Sequence, residues 1–293
     1  MIRSFLLATT CVVGVALPGS ASTHETWPAE DMQLRVDADA FTAFAKSQYQ
    51  HTGDVFELLD PQSPGSVQTL GLALDAEYGL VENVALVFGT TVANVRVESE
   101  ASSAAVAGLA DLVLGAKWMF VDGAFSLTAA PAVKFPTGYT PDAGPYMPSL
   151  GNGVNEYEAM LWAGKRFDDA PFYIEVGFGY RFRGTRVPRG GGPKVIYADE
   201  LPYAIELAFD PTETLRVYGL LDGVYGLGTA DAITFVELRP LTQDFLRLGG
   251  GVGYRVLERL RVVATYRLTA AGVNTLNEQV LTLGAAFEYG LRG

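Results

Sequence analysis

The side chains that most often do chemistry are scarce in this chain. Of 293 residues two are histidine, His24 and His51, and the single cysteine is Cys11. His51 with Ser47 or Ser63 has the composition of a Ser–His pair. A nucleophilic serine, however, needs a positioned base and a sharp turn to present it, and no Gly-x-Ser-x-Gly segment occurs. His51 therefore reads as an exposed loop histidine, and no catalytic residue is assigned. So few histidines, with Cys11 the only thiol, leave no ligand set for a thiolate or imidazole metal site, and Asp54, Glu57 and Asp60 read as solvated loop acids. Gly190, Gly191 and Gly192 beside Arg186, Arg189 and Lys194 suggest phosphate, but the Lys-Ser/Thr pair and the strand-to-helix setting of a phosphate loop are missing. The expectation is no metal and no cofactor. A net charge of −12 without any basic run argues against nucleic acid as a partner, since that affinity rests on Lys and Arg contacts to phosphate.

What the ionisable residues offer instead is spacing. Asp37 and Asp39, Asp75 and Glu77, Asp111 and Lys117, Glu156 and Glu158, Glu175, Arg181 and Arg183 stand at even separations inside otherwise apolar stretches. Lys134, Arg216, Arg247, Arg255 and Arg267 occupy equivalent places in further stretches. A period of two is the period of a β-strand, so each set shares one face of its strand. The opposite faces are apolar. Leu112, Leu114, Ala116, Trp118 and Phe120 form one row, Phe172, Ile174, Val176, Phe178, Tyr180 and Phe182 another, and Leu281, Leu283, Ala285, Phe287 and Tyr289 a third.

Strands are expected near 32–47, 67–79, 82–97, 108–121, 124–136, 153–167, 171–184, 200–210, 213–226, 243–257, 260–271 and 278–290. Asp122-Gly123 between alternating runs predicts a two-residue hairpin turn with both central φ angles positive. Connections alternate in length. Those near Gly79-Leu80-Val81, Asp122-Gly123, Asp168-Asp169-Ala170, Asp210-Pro211-Thr212 and Glu258-Arg259 are tight. Those over 48–66, 98–107, 137–152, 185–199 and 227–242 are long, with a shorter one at 272–277. Short turns at one end and long loops at the other are the layout of a transmembrane, antiparallel, up-and-down β-barrel of about twelve strands in a bacterial outer membrane. Its apolar rows meet lipid and its charged rows meet the lumen. A soluble barrel would invert the faces, and alternation alone does not separate the two. The length of the apolar rows, the loop asymmetry and aromatics near row ends (Tyr78, Phe120, Phe135, Tyr180, Tyr289) favour the membrane.

Residues 1–21 carry an export pattern: Arg3, an apolar run over 5–17 too short to span a bilayer, then small residues ending at Ala21. The barrel is expected over 22–293, without cysteine and so without disulfides. Its expected partners are outer-membrane lipid, a small-molecule solute and the barrel-assembly machinery during biogenesis.

Several segments together resemble a known family. They are Glu77-Tyr78-Gly79-Leu80-Val81-Glu82-Asn83-Val84-Ala85-Leu86, the run from Gly108 to Lys117, Lys134-Phe135-Pro136-Thr137-Gly138, Gly151-Asn152-Gly153, the run from Gly179 to Gly184, Asp199-Glu200-Leu201-Pro202-Tyr203, and Gly272-Val273-Asn274-Thr275. In this order, across most of 67–290, they are similar to the outer-membrane proteins named after the meta pathway of phenol degradation. The resemblance implies a barrel that passes small, aromatic or hydrophobic molecules, and it supplies no site residues. Barrels of this type commonly finish on an aromatic, whereas this chain runs past Phe287 and Tyr289 to Gly290-Leu291-Arg292-Gly293.

The expected pore-lining set is therefore Asp37, Asp39, Asp75, Glu77, Asp111, Lys117, Lys134, Glu156, Glu158, Glu175, Arg181, Arg183, Arg216, Arg247, Arg255 and Arg267. Acids gather on the first two strands and arginines on the tenth and eleventh. Two interiors fit this pattern: a water-filled pore with a transverse field, or a narrow core locked by ion pairs. Counting from the turns pairs Glu158 with Arg181, Glu156 with Arg183 and Asp111 with Lys134. The function these readings favour is an outer-membrane channel, with a structural or adhesion barrel and then a lipid enzyme as alternatives.

Overall fold

The computed structural model describes residues 26–50, 52–58, 65–99, 103–139, 148–167, 170–187, 195–228 and 242–290. Residues 1–21 with Cys11, and His24, His51, Asp60, Ser63, Arg189, Gly190, Gly191, Gly192 and Lys194, lie outside them.

Alternating side chains become twelve long strands: β1 Gln33–Tyr49, β2 Ser66–Val81, β3 Val84–Glu98, β4 Ser103–Val121, β5 Ser126–Pro136, β6 Glu156–Arg166, β7 Phe172–Arg183, β8 Glu200–Phe209, β9 Leu215–Gly226, β10 Asp244–Leu257, β11 Leu260–Val273 and β12 Thr275–Gly290. Each pairs antiparallel with the next, and β12 pairs with β1 from Gln33↔Gly290 to Tyr49↔Thr275, so the sheet closes. Every expected strand is present, and no helix occurs among the described residues. One end, here the turn end, carries Gln33, Gly290 and the short connections. The other, the loop end, carries the long ones.

The connections depart from expectation in four places. At Asp122-Gly123 no two-residue turn forms. Residues 122–125 make a longer connection, Gly123 lacks a positive φ, and a bulge precedes it at Met119/Val121. The turn after β2 sits later than Gly79-Leu80-Val81, at Glu82-Asn83, where Asn83 takes φ 66°, a conformation asparagine tolerates better than most residues. The expected loop at 272–277 shrinks to Asn274 (φ 51°), and β3 and β4 extend the ladder to Glu98↔Ser103, well inside the expected 98–107 loop.

The faces follow the sequence pattern. Leu114, Trp118, Phe178, Leu207 and Leu283 point outward and are each at least 45% exposed. A belt of this extent is not compatible with water, because soluble surfaces rarely hold large contiguous apolar patches. In hydrocarbon it carries no cost. Aromatics border the belt at both ends, as in membrane barrels. Phe172 stacks on Phe209 (4.7 Å) and Phe287 on Tyr289 (6.4 Å) at the turn end, and Tyr157 packs on Phe182 (6.2 Å) at the loop end.

One bulge re-aims the wall. Between Thr90↔Leu112 and Val92↔Leu109 the single Thr91 opposes both Ala110 and Asp111. Ala110 and Asp111 are consequently both buried, and the face alternation of β4 reverses there.

Candidate functional site

All sixteen residues of the expected lumen set sit in strands and share the inward parity. They are buried or half-buried except Arg255, which lies exposed at the turn-end rim. They fall into two tiers.

The loop-end tier is built by neighbouring hairpins. Glu158 lies opposite Arg181 and Glu156 opposite Arg183, as the turn count predicts. Arg181 donates to Glu158 (Nε, 2.7 Å) and to Glu200 (Nη1, 2.7 Å), while Arg183 Nη1 donates to Glu200 at 2.6 Å. Lys134 bridges Glu156 at 2.6 Å and Asp111 at 3.5 Å. The Asp111–Lys134 ladder pairing is displaced by two. Asp111 faces Pro136 and Lys134 faces Val113, because the four-residue connection at 122–125 shifts the register, and the ion pair runs diagonally. Loop residues complete the tier. Tyr139 Oη donates to Asp111 at 2.5 Å and accepts the Gly153 N–H at 3.0 Å, and Asn152 Nδ2 donates to Glu156 at 3.2 Å.

Glu200 was not among the expected residues, although it shares the even parity of Glu206 on β8. Its side chain is 1% exposed and also accepts Gln243 Nε2 at 3.2 Å. A carboxylate taken this far from water is tolerable only with its lone pairs filled, and three donors fill them here.

The turn-end tier is organised differently. Lys117 Nζ donates to Glu77 at 3.0 Å, and Arg35 lies 3.7 Å from Glu77 and 3.5 Å from Glu288. Tyr173 donates to Glu206, and Arg216 holds Asp210 through two bonds of 2.7 and 2.8 Å. Glu77 and Glu175 also accept from residues 26–31, which lie against the inner wall at this end. Thr26 N–H donates to Glu175 (3.4 Å) and Ala29 N–H to Glu77. Thr128 donates to the Thr26 carbonyl, Trp27 Nε1 donates to Ser126 Oγ (3.1 Å), and Met32 N–H donates to the Gly79 carbonyl (3.0 Å). Trp27 also meets Tyr173 edge-on at 6.0 Å and lies under the Arg166 guanidinium at 4.2 Å.

Two glycines make this approach possible. A Cβ on Gly79 would fall 1.8 Å from the Glu30 carbonyl oxygen, and one on Gly164 would fall 2.7 Å from Thr26 Cγ2 and 2.8 Å from the Trp27 ring. Sequence reading missed the segment. Its only advance signal is that pair of glycines standing where an inward wall position would ordinarily carry a side chain.

Between the tiers the lumen encloses about 450 Å³, and its lining mixes the charged groups with Ala132, Met160, Trp162, Leu220 and Phe245. A second cavity of about 680 Å³ lies at the turn end, lined by Trp27, Ala29, Glu30, Asp31 and Arg35. The 26–31 segment thus touches Glu77 and Glu175 of the first cavity while it walls the second. Arg247 and Arg267 converge on one acid, Asp222. Arg247 Nε donates at 2.9 Å and Arg267 stands 3.8 Å away, with Glu278 lining the same cavity. Asp37, Asp39 and Asp75 sit together on β1 and β2. Of the loop acids and hydroxyls weighed for chemistry, Ser47 Oγ accepts Asn277 Nδ2 (3.1 Å) and Asp54 accepts Thr52 Oγ1 (2.7 Å).

No family model and no curated protein matches the chain. Solved structures do match. The chain is similar to the COG4313 outer membrane channel from Pseudomonas putida F1, at 13% identity and TM-score 0.67, covering 90% of this chain and 98% of that one. It is also similar to the NanC porin, at 8% identity and TM-score 0.52, with 86% and 98% covered. At these identities the likeness establishes the fold: a closed transmembrane barrel of twelve strands.

Proposed function

We propose that this protein is an outer-membrane channel for small molecules whose turn end is controlled by the 26–31 segment. The observation that carries the reading is the position of that segment between two cavities, held by side chains of the barrel wall instead of by a strand ladder. A segment docked through a few hydrogen bonds and one aromatic side chain can leave without unzipping the sheet. The similarity to a channel and a porin supports the same reading. In it, residues 1–21 are the export leader, residues 22–293 form the barrel, and the turn end faces the periplasm. The sixteen inward residues line the path, and the interior serves passage rather than catalysis. The segments similar to the meta-pathway family point to small aromatic or hydrophobic solutes, which agrees with Met160, Trp162, Leu220 and Phe245 standing among the charges.

Single-channel recording in a planar bilayer tests this. The expected result is a small stepwise conductance that grows severalfold when residues 26–31 are deleted. Absence of conductance in both forms would overturn the proposal.

A further inference from the structure

The arginines of the turn end are not distributed like those of the loop end. Arg255 on β10 and Arg261 on β11 are direct cross-strand partners. Like charges facing each other across a ladder destabilise it, so such pairs normally come with a nearby anion. Here carboxylates are near, but among the described residues none lies within ion-pair distance of Arg255 or Arg261. Arg216 uses both oxygens of Asp210, and Glu288 lies with Arg35. Neither Arg255 nor Arg261 makes an ion pair among the described residues, and Arg261 Nε is shut off from solvent without an acceptor.

The three side chains are brought together by a missing one. Gly253 faces Arg216 in the β9–β10 ladder. A Cβ there would lie 3.1 Å from Arg261 Cδ and 3.8 Å from Arg216 Cβ, so the stem of Arg261 runs over the space that Gly253 leaves open, beside Arg216. Together with Arg255 they line a cavity of about 300 Å³, whose carboxylates are Asp210, already held, and Glu213. The adjoining cavity, in contrast, balances Arg35, Arg166 and Arg259 with Glu30, Asp31, Glu82, Asp122, Glu258 and Glu288, so the excess of guanidinium groups belongs to the smaller one.

We propose that Arg255 and Arg261, backed by Arg216, form a binding site for an oxyanion at the turn end of the lumen. Guanidinium groups present planar forks of N–H donors that match carboxylate, phosphate and sulfonate oxygens, whereas a spherical anion engages only one edge. The cavity has room for such a group and a small organic body. The site stands whether or not the barrel conducts. Anion binding is measured on the folded protein, so its failure is distinguishable from failure of the channel reading.

The test is calorimetric titration of inorganic phosphate into the full barrel in neutral maltoside micelles at low salt. Saturable binding in the millimolar range is expected, weakening as salt is raised. Arg255→Gln with Arg261→Gln should weaken it by about tenfold or more, while Arg247→Gln at the loop end should leave it unchanged. Lys at both positions keeps the charge and loses the fork, and should fall between. Folding of each variant is checked by its heat-dependent gel mobility; removing a like-charge pair should not impair it. A second arm adds phosphatidylglycerol to the micelles. Phosphate binding that persists identifies a free solute as the occupant, and binding displaced by the lipid identifies a headgroup, either of which supports the site. No saturable phosphate binding by the wild type, or equal binding by the double Gln variant, overturns it.

Discussion

The two halves of the lumen solve the same problem in different ways. At the loop end, Asp111, Lys134, Glu156, Glu158, Arg181, Arg183 and Glu200 satisfy one another through strands adjacent in sequence and in space. At the turn end, Glu77 and Glu175 also take backbone N–H groups from residues 26–31, and Arg255 and Arg261 stand without carboxylates. A wall whose side chains interlock with one another is held in one arrangement. A wall that completes itself with a docked segment can change state, because losing the segment leaves acids that water can solvate.

The largest expected effect falls on the interlocked half. Glu200→Leu removes the shared acceptor of Arg181 and Arg183, and among the described residues Arg183, at 2% side-chain exposure, keeps one carboxylate, Glu156 at 3.8 Å, beside the Tyr197 ring. Breaking a buried pair from one side costs about 3–5 kcal/mol. Urea titration of the barrel folded in lipid vesicles measures it, and a neutral result would mean that water reaches this tier and that the halves do not differ in rigidity.

A smaller effect is expected where the segment docks. Trp27→Ala deletes an edge-on aromatic contact, a cation–π contact and one hydrogen bond, together about 1–2 kcal/mol of docking energy. The undocked fraction then rises about five- to thirtyfold with the barrel intact. Open-state occupancy in bilayer recordings and protection of the 26–31 amides from exchange should change together. Unchanged exchange would place the segment's hold elsewhere.

The smallest effect concerns charge at the β10–β11 wall. Arg247→Glu with Arg267→Glu replaces two cations beside Asp222 with two acids and should move the reversal potential toward cations at low salt. At 1 M salt, where the Debye length is about 3 Å, the shift should vanish. A conducting double variant with an unaltered reversal potential would remove these arginines from the path.

How much of this was legible in the sequence depended on whether the information repeats. The strands and their faces were readable because Phe172 to Phe182 and Leu281 to Tyr289 repeat with period two. Glu158↔Arg181 followed from a ladder free of bulges. Asp111 and Lys134 were misplaced by two positions because Asp122-Gly123 looks like a two-residue turn and is embedded in a longer one. Residues 26–31 have no period at all. Their contacts join Thr26 to Glu175 and Trp27 to Ser126 across about a hundred residues or more, which no local pattern encodes.

The closure of the sheet has a kinetic consequence. Eleven of the twelve strand interfaces join neighbours in sequence and can zip outward from their own turns. The twelfth, β1 with β12, brings Gln33 to Gly290 and gains nothing until both strands are in place. The entropy of joining chain ends grows only slowly with length, but it must be met before any contact repays it. The seam therefore sets the pace of folding, and β1 enters it directly from the docked segment. Closing the seam therefore delivers the segment to the end of the lumen where it docks.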